Sequence, residues 1–269
     1  MNTLPDGFNF RALNSIDVSD ALHLIKTHNH DDYECAAESY SKSLNDQFVL
    51  TRNNEVVGVT GFRRIPNAQK AFWLSWSYLE PYASIELRNR GILFDLICEK
   101  LREGDQARKV FAMISPTVDS GLGGGHSYGG ALASYEDYGF QTELTHRDYY
   151  DKGESMTVLS HRISADRLSR EPAVEPREVG IFDSDEIAET DDAYYLDWDF
   201  VDGTPLPENG VEHWIETVRG WEGRVVFIGV PSNAEHAIRE LIKQGFTRDG
   251  VLTDFYEDGL DEVRLRFDL

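Results

Sequence analysis

The segment RNRGIL, residues 88–93, combines residue types that can bind a phosphate group. It opens a run of apolar residues at three-to-four spacing, which predicts a helix over about residues 89–103 that stops near Gly104. A helix N-terminus offers unpaired peptide N–H groups and the positive end of the helix dipole, and Gly91 would let the backbone approach an anion closely. Arg88 and Arg90 add positive charge. Taken alone, the same pattern also fits a solvated turn at the start of a helix.

A second group of reactive side chains lies in the strand pattern WLSWSYLEP. A period of two places Ser75, Ser77 and Leu79 on one face of this strand and Glu80 on the other. A carboxylate at the end of a strand can take a proton from a nucleophile. Glu80 is therefore a candidate general base, with Glu86 in the following loop as a rival.

The elements that would position these residues occur twice in the chain, because residues 176–269 resemble residues 54–163 segment by segment. Each copy predicts strand, strand, helix, strand, helix, strand, strand, an order typical of a mixed sheet covered by helices. The first copy also has an N-terminal extension with two strand patterns and two helical patterns, over about residues 18–27 and 33–41. The matched pairs that keep a constant separation of 106 positions are Gly139 and Gly245, Phe140 and Phe246, Tyr150 and Tyr256, and Gly153 and Gly259.

These segments resemble the GNAT superfamily of acyl-CoA N-acyltransferases over about residues 8–163. The resemblance rests on RNRGIL after a strand and before a helix, and on SYEDYGF, residues 134–140, followed by a YY..G hairpin. The family's phosphate turn, Gln/Arg-x-x-Gly-x-Gly/Ala, is matched at Arg88 and Gly91, whereas Leu93 replaces the small last residue. The resemblance implies an α/β (α+β) fold with a mixed central sheet, helices on both faces and a second, smaller lobe of the same kind. We expect domains at 1–165 and 171–269, joined by the proline-containing segment EPAVEPRE.

The resemblance also implies an activity, the transfer of an acetyl group from acetyl-CoA to a primary amine. Tyr135 would protonate the departing CoA thiolate, and a backbone N–H at the splayed end of the strand would polarise the thioester carbonyl. An amine with a pKa near 10 must first lose a proton, to Glu80 or to water. The residues implied in binding the cosubstrate are Leu79, Arg88, Asn89, Arg90, Gly91, Ile92 and Leu93. Those expected to contact the acceptor amine are His30, Ser75, Ser77, His126 and Tyr128.

The second copy lacks the residues that would do this chemistry. Pro207 and Asn209 replace the two arginines of the turn, and Leu241 replaces Tyr135. We interpret this copy as a degenerate lobe that packs against the first, as the subunits of dimeric relatives do. It would present acidic residues such as Asp197 and Asp199 toward the acceptor. The expected state is a monomer with an internal pseudo-dimer, or a weak homodimer.

Two further segments contain histidines that could serve a site. HNHDDYE, residues 28–34, has residue types that bind metals but lies between two predicted helices, so we expect a loop that contacts substrate through His30 and no metal. SPTVDSGLGGGHSYGG, residues 115–130, includes ten residues more than the matching part of the second copy. It is interpreted as a mobile flap that brings His126, Ser127 or Tyr128 to the acceptor, with surface slack as the alternative.

Composition narrows the classes of partner. The 269 residues include 48 acidic and 26 basic residues, a net charge of −22, which disfavours nucleic acid. Residues 171–269 hold 25 of the acidic and 8 of the basic residues, either as a solubilising or salt-adapted face or as a wall for a cationic acceptor. The sequence shows neither a secretory signal nor a long apolar run, so we expect a cytoplasmic protein that does not contact membranes. The competing function is a non-catalytic acyl-CoA-binding or interaction protein.

Overall fold

The computed structural model of the protein describes residues 4–87, 91–104, 107–115, 128–164, 180–187, 190, 192–199 and 210–269. No helix in these ranges is both long enough and apolar enough to cross a membrane. The helices are α1 Val18–His28, α2 His30–Lys42, α3 Pro81–Leu87, α4 Ile92–Glu103, α5 Tyr128–Asp137, α6 Gly210–Gly220 and α7 Glu235–Lys243. The strands are β1 Phe8–Ala12, β2 Gln47–Arg52, β3 Glu55–Arg64, β4 Ala71–Leu74, β5 Tyr78–Leu79, β6 Lys109–Ile114, β7 Gln141–Asp151, β8 Glu154–Arg162, β9 Gly180–Glu186, β10 Ala193–Asp199, β11 Val225–Pro231, β12 Thr247–Glu257 and β13 Leu260–Asp268.

The first sheet has eight strands in the order β1-β2-β3-β4-β6-β8-β7, with β5 paired to β3. Strands β1 to β4 pair antiparallel with their neighbours, and β4 runs parallel to β6. The expected mixed α/β sheet is therefore confirmed. Because a parallel pair needs a crossover connection, the chain between β4 and β6 has room for α3 and α4.

Helices cover both faces of this sheet. On one face, α1 and α2 form a core cluster with Val49 of β2 and Val59 of β3. On the other face, Leu93 and Leu96 of α4 pack with Leu50 of β2. The apolar residues of α4 that recur every three or four positions are buried, as the sequence pattern predicts.

The second sheet has the order β12-β13-β11-β10-β9, with β10 parallel to β11. Helices α6 and α7 share one core with its strands through Val211, Ile215, Ile238 and Leu241. Its strand order is that of β7-β8-β6-β4-β3 in the first sheet. The predicted element order is found in the described part of the second copy, whereas the first copy has β5 and α3 in addition, between β4 and α4.

Local hydrogen bonds recur between the copies at the predicted separation of 106 positions. After α5, Gly139 has a positive φ and the Phe140 N–H donates to the Tyr135 carbonyl at 3.1 Å. After α7, Gly245 has a positive φ and the Phe246 N–H donates to the Leu241 carbonyl at 3.1 Å. These glycines adopt a left-handed conformation that closes a helix, which is disfavoured for residues with a Cβ atom.

The β7–β8 and β12–β13 hairpins also have the same type of turn. The Gly153 N–H donates to Asp148 Oδ1 at 2.7 Å, and the Gly259 N–H donates to Asp254 Oδ1 at 2.6 Å. All four turn residues have positive φ. The side-chain hydrogen bond explains why an aspartate is tolerated in this conformation in each hairpin.

The chain divides into two compact units, and the expected domains at 1–165 and 171–269 stay a prediction. The first unit comprises residues 1–66, 70–141 and 159–166, and the second comprises 67–69, 142–158 and 167–269. Residues 142–158, which form nearly all of β7 and the first half of β8, thus count with the second unit although their sequence belongs to the first copy. The expected linker at residues 171–178 lies outside the described residues.

Two local predictions in the first unit were wrong. Helix α2 begins at His30, so HNHDDYE is not a loop; Asn29 alone separates α1 from α2. Asn29 ends α1 through its N–H and starts α2 through its side chain, whose Oδ1 accepts the Asp32 N–H at 3.4 Å. The segment after β5, expected to be a loop, forms the short helix α3.

A buried histidine in the second unit couples its folding to pH. His146 on β7 is 1% exposed and pairs through Nδ1 with Asp249 on β12. Its ring lies 5.0 Å from that of Phe227, and its Nε2 is buried with no hydrogen-bond partner among the described residues. Burial lowers the pKa of His146 and outweighs the opposite effect of Asp249.

The free energy of unfolding is therefore expected to fall as the pH is lowered through about 6.5, the ordinary histidine pKa. Below that pH the histidine of the unfolded chain is protonated, whereas the buried His146 of the folded chain is not. This difference in bound protons lasts until the pH drops below the lowered pKa of His146, and it favours the unfolded chain. Urea unfolding at several pH values checks this. The slope with pH should be smaller in His146→Gln, and identical slopes in the two proteins would contradict it.

Candidate active site

The first sheet opens beside strand β5. Strand β4 pairs with β6 from Ala71 to Trp73, whereas β5 pairs with β3 and, within the described residues, forms no ladder with β6. The pairing register with β3 shifts by one residue between β4 and β5, which places a bulge in residues 75–77. The bulge turns β5 out of the β4–β6 ladder and leaves one of its edges unpaired with β6.

One backbone donor on β5 is directed to this opening. The Glu80 N–H donates to the Val57 carbonyl of β3 at 2.8 Å. Because successive N–H groups of an antiparallel strand point to opposite edges, the Leu79 N–H points away from β3. A peptide N–H in that position can donate to the oxygen of a thioester carbonyl.

The two serines before β5 do not share a face, contrary to the prediction. The Ser75 N–H donates to the Gly61 carbonyl, and Ser75 Oγ lies 3.3 Å from Gln47 Nε2. Ser77 Oγ lies 2.7 Å from the Thr60 hydroxyl. Thr60 and Gly61 are neighbours on β3 and face opposite sides, so the two serines do as well. The bulge between them breaks the period of two.

Tyr135 lies near the end of α5, with its ring 5.0 Å from that of Phe140. Burial, and then the negative charge of Asp32, raises the pKa of Tyr135 to about 12. The phenol therefore keeps its proton at neutral pH. A positioned, protonated phenol can donate that proton to a leaving group.

A second phenol and a carboxylate that the sequence analysis did not name lie at the same site. The Tyr78 hydroxyl on β5 donates to Asp32 Oδ2 on α2 and is also hydrogen-bonded by the Asn29 side chain. Burial first, and then Asp32, raises the pKa of Tyr78 well above its ordinary value. The Asn-x-x-Asp spacing at residues 29–32 is a helix-cap signal that could have placed Asp32 at the start of α2. Its contact with Tyr78 could not be read from that spacing.

The start of α4, where a phosphate is expected to bind, is described from Gly91 onward; Arg88, Asn89 and Arg90 lie outside the described residues. The Tyr138 hydroxyl is hydrogen-bonded to the Gly91 backbone. A Cβ atom on Gly91 would lie 1.7 Å from Tyr138 Cζ and 1.9 Å from its Oη, so glycine is required here by close approach. Tyr138 thus occupies the backbone group that a phosphate oxygen would use.

Leu93, the departure from the family pattern, is buried under the sheet. It is 5% exposed, and its Cδ2 lies 3.0 Å from the position of a Cβ on Gly58. Leu79 Cδ1 lies 3.1 Å from the same position. The absence of a side chain at Gly58 on β3 therefore makes room for the large side chain of Leu93, at the position where the family pattern has a small residue on the helix. Ile92, the next residue of the expected cradle, is also buried.

We expect Gly91→Ala to destabilise the protein by about 1–3 kcal/mol, because the new methyl group collides with the Tyr138 ring. Tyr138→Ala removes the colliding ring, so the double variant should lose less than the sum of the two single changes. Denaturant unfolding of the four proteins measures this coupling. Additive losses would show that Tyr138 does not approach Gly91.

Of the two predicted general bases, Glu80 directly follows β5 and is partly exposed, and Glu86 lies on α3 and is exposed. Burial, and then the charge of Glu80, raises the pKa of Tyr82 on α3, which is 47% exposed. Glu86 pairs with Arg52 at 2.9 Å. The carboxylate whose charge acts on Tyr135 is Asp32. Glu80 stays a prediction as general base.

The predicted acceptor contacts fall on different parts of the chain. His30 is exposed in the first turn of α2, with its ring 6.1 Å from that of Tyr33. His126, within the glycine-rich segment, lies outside the described residues, and Tyr128 is the first residue of α5. In the part of the chain that the structure describes, no group of three or more His, Cys, Asp or Glu side chains could hold a metal ion.

In the described part of the second unit, no phenol stands at the position that matches Tyr135. Leu241 takes its place and is buried in the core of that unit. Asp197 on β10 is exposed, and Pro207 and Asn209 lie outside the described residues.

No protein-family model matches the chain, and no curated protein matches it. Solved structures do. An acetyltransferase of the GNAT family from Desulfovibrio desulfuricans is 16% identical, with 58% of this chain and 98% of that chain covered and a TM-score of 0.48. The ribosomal-protein-S18-alanine N-acetyltransferase of Escherichia coli is 18% identical, with 59% of this chain and 96% of that chain covered and a TM-score of 0.46. An aminoglycoside 6'-N-acetyltransferase of Enterococcus faecium is 9% identical, with 61% and 99% covered and a TM-score of 0.46. At these identities the likeness is one of fold.

Proposed function

We propose that the first unit transfers an acetyl group from acetyl-CoA to the primary amine of a small molecule. The observation that carries this proposal is the opened strand β5. The N–H of its Leu79 points into the gap in the sheet. The hydroxyl of its Tyr78 donates to Asp32, and the charge of the same carboxylate raises the pKa of Tyr135. A hydrogen-bond donor for a carbonyl oxygen and a protonated phenol are the two groups that thioester aminolysis needs from a protein.

In the proposed reaction the amine attacks the thioester directly. The ammonium form loses a proton to water or to Glu80, and the free nitrogen forms a bond to the carbonyl carbon. The negative charge that develops on the carbonyl oxygen is stabilised by the Leu79 N–H. The carbon–sulfur bond then breaks and the sulfur takes the proton of Tyr135, while the amide nitrogen loses its extra proton to solvent, from which the phenolate is reprotonated. Residues 88–93 would hold the pyrophosphate of CoA at the start of α4.

We regard the second copy, residues 176–269, as a lobe that has lost this chemistry. The shared strand order and the helix-closing hydrogen bonds at the same separation support a common origin of the two copies. The buried Leu241 offers no proton at the position of Tyr135. This lobe would then contribute structure and negative charge, not catalysis.

One observation favours the competing function, a protein that binds acyl-CoA without turning it over. Tyr138 already uses the Gly91 backbone as its hydrogen-bond partner, and it must move before a phosphate can bind there. A site closed in this way fits a protein that responds to acyl-CoA by changing shape.

The test measures binding and turnover side by side. Acetyl-CoA binding is followed by the shift in melting temperature, and thiol release is followed with a panel of small primary amines. The proposal predicts both a shift and thiol release that requires an amine. A shift without thiol release for any amine would instead support the binding protein, and the absence of both would contradict the acetyl-CoA site itself.

A further inference from the structure

The carboxylate of Asp32 is held in a fixed position at the opening of the sheet. It lies in the first turn of α2, where Asn29 caps the helix through the Asp32 N–H. Its Oδ2 accepts the hydrogen bond of the Tyr78 hydroxyl, which bridges 46 positions of sequence. A carboxylate fixed by its helix and by a side chain of the opened strand loses little conformational entropy when it binds a ligand.

This carboxylate belongs to the same site as the opened strand. Tyr78 immediately precedes Leu79, whose N–H points into the gap. Side chains of successive strand residues alternate, so Tyr78 reaches the α1–α2 face while Leu79 packs on the α4 face. The start of α4 is where the phosphates would bind. An acceptor that approaches from the opposite face, that of α1 and α2, meets Asp32.

The two side chains that orient Asp32 carry no charge of their own. Tyr78 and Asn29 are neutral, and Tyr135 is a protonated phenol near neutral pH. The ring of His28 lies 5.1 Å from that of Tyr78, and its Nδ1 lies 2.9 Å from the Leu24 carbonyl. An ammonium group beside a half-buried carboxylate and aromatic rings gains from charge-assisted hydrogen bonds and from the ring faces.

We propose that Asp32, held by Tyr78, binds the ammonium group of the acceptor and makes the site selective for amines that are protonated at neutral pH. This inference rests on the proposed acetyl transfer. Asp32 is then a substrate-binding residue and Tyr78 a positioning residue. The site is expected to prefer an aliphatic primary amine, which is protonated at neutral pH, over a neutral nucleophile of the same shape.

The test compares two acceptors of matched shape, an alkylamine and the corresponding alkoxyamine, which is neutral near pH 7. In Asp32→Asn we expect kcat/KM for the alkylamine to fall about 10- to 100-fold, the size typical of a hydrogen bond to a charged group. The value for the alkoxyamine should stay close to that of the wild type, and so should the affinity for acetyl-CoA. The control is Glu38→Gln, which removes an exposed carboxylate of the same helix that pairs with Lys42.

The outcomes separate the two proposals. If the wild type releases no thiol with any amine, the acetyl transfer itself is wrong. Suppose that the wild type is active and that the ratio of kcat/KM for the alkylamine to that for the alkoxyamine is the same in Asp32→Asn as in Glu38→Gln. The proposed role of Asp32 would then be wrong. Tyr78→Phe retains the carboxylate but not the hydrogen bond that orients it, and it should shift the preference in the same direction by a smaller factor. It decides the question if Asp32→Asn does not fold, because an unchanged preference in Tyr78→Phe would then overturn the proposal.

Discussion

Tyr135→Phe is expected to lower kcat for acetyl transfer by about 10²- to 10⁴-fold, the usual contribution of a positioned general acid. The phenylalanine ring keeps the packing against Phe140, which lies 5.0 Å away, but has no proton for the departing sulfur. Acetyl-CoA affinity should be unchanged, because the hydroxyl acts only when the carbon–sulfur bond breaks. Steady-state kinetics and a binding titration measure the two quantities separately.

Tyr40→Phe provides a matched control. Tyr40 is a buried phenol of the first unit, burial likewise raises its pKa to about 12, and its ring lies 5.9 Å from that of Trp76. Removing its hydroxyl should leave kcat unchanged. Equal losses in the two variants would show a general effect of removing a buried hydroxyl, and full activity of Tyr135→Phe would remove Tyr135 from the mechanism.

Arg264→Met is expected to destabilise the protein by about 3–5 kcal/mol, because it leaves the Glu262 carboxylate buried without its cation. Arg264 Nε lies 2.5 Å from Glu262 Oε1, and the two side chains are 13% and 5% exposed. The Tyr256 hydroxyl donates to the other carboxylate oxygen at 2.6 Å. A Cβ atom on Gly229 would lie 2.4 Å from the Tyr195 hydroxyl and 2.7 Å from Glu262 Oε2, so these side chains fill the space beside that strand.

The double variant Glu262→Gln/Arg264→Met should recover part of this loss, since it removes the unpaired charge together with its partner. Arg239→Met, which breaks an exposed pair with Glu235, is the control and should change the free energy of unfolding by less than about 1 kcal/mol. Denaturant unfolding measures all three. A loss in Arg264→Met no larger than in Arg239→Met would contradict the view that the second unit is built around this buried pair.

The parts of the fold that follow local rules could be predicted from sequence. The burial of α4 follows from its three-to-four spacing. The helix-closing glycines and hairpin turns follow from residue types that favour positive φ, Gly139 and Asp148 among them. Because these signals recur 106 positions later, the order of elements in the second unit could be predicted from the first.

The site could be predicted only in part, because its key contacts join distant positions. The alternation of WLSWSYLEP gives no sign of the bulge at residues 75–77, which depends on how β3 and β6 compete for the strand. The pair of Tyr78 with Asp32 and the approach of Tyr138 to Gly91 both depend on tertiary packing. The sequence supplied the residue types, and the fold decided which of them meet.

The most direct test of the central claim follows the acetyl group itself. The protein is incubated with an alkylamine and with acetyl-CoA that is labelled in the acetyl group. The masses of the amine and of the protein are then measured by mass spectrometry. We predict that the label appears on the amine nitrogen, that the protein mass stays unchanged when the amine is left out, and that Tyr135→Phe forms the product far more slowly. Bound acetyl-CoA with no labelled amine, for any acceptor in the panel, would contradict the claim that this unit transfers acetyl groups.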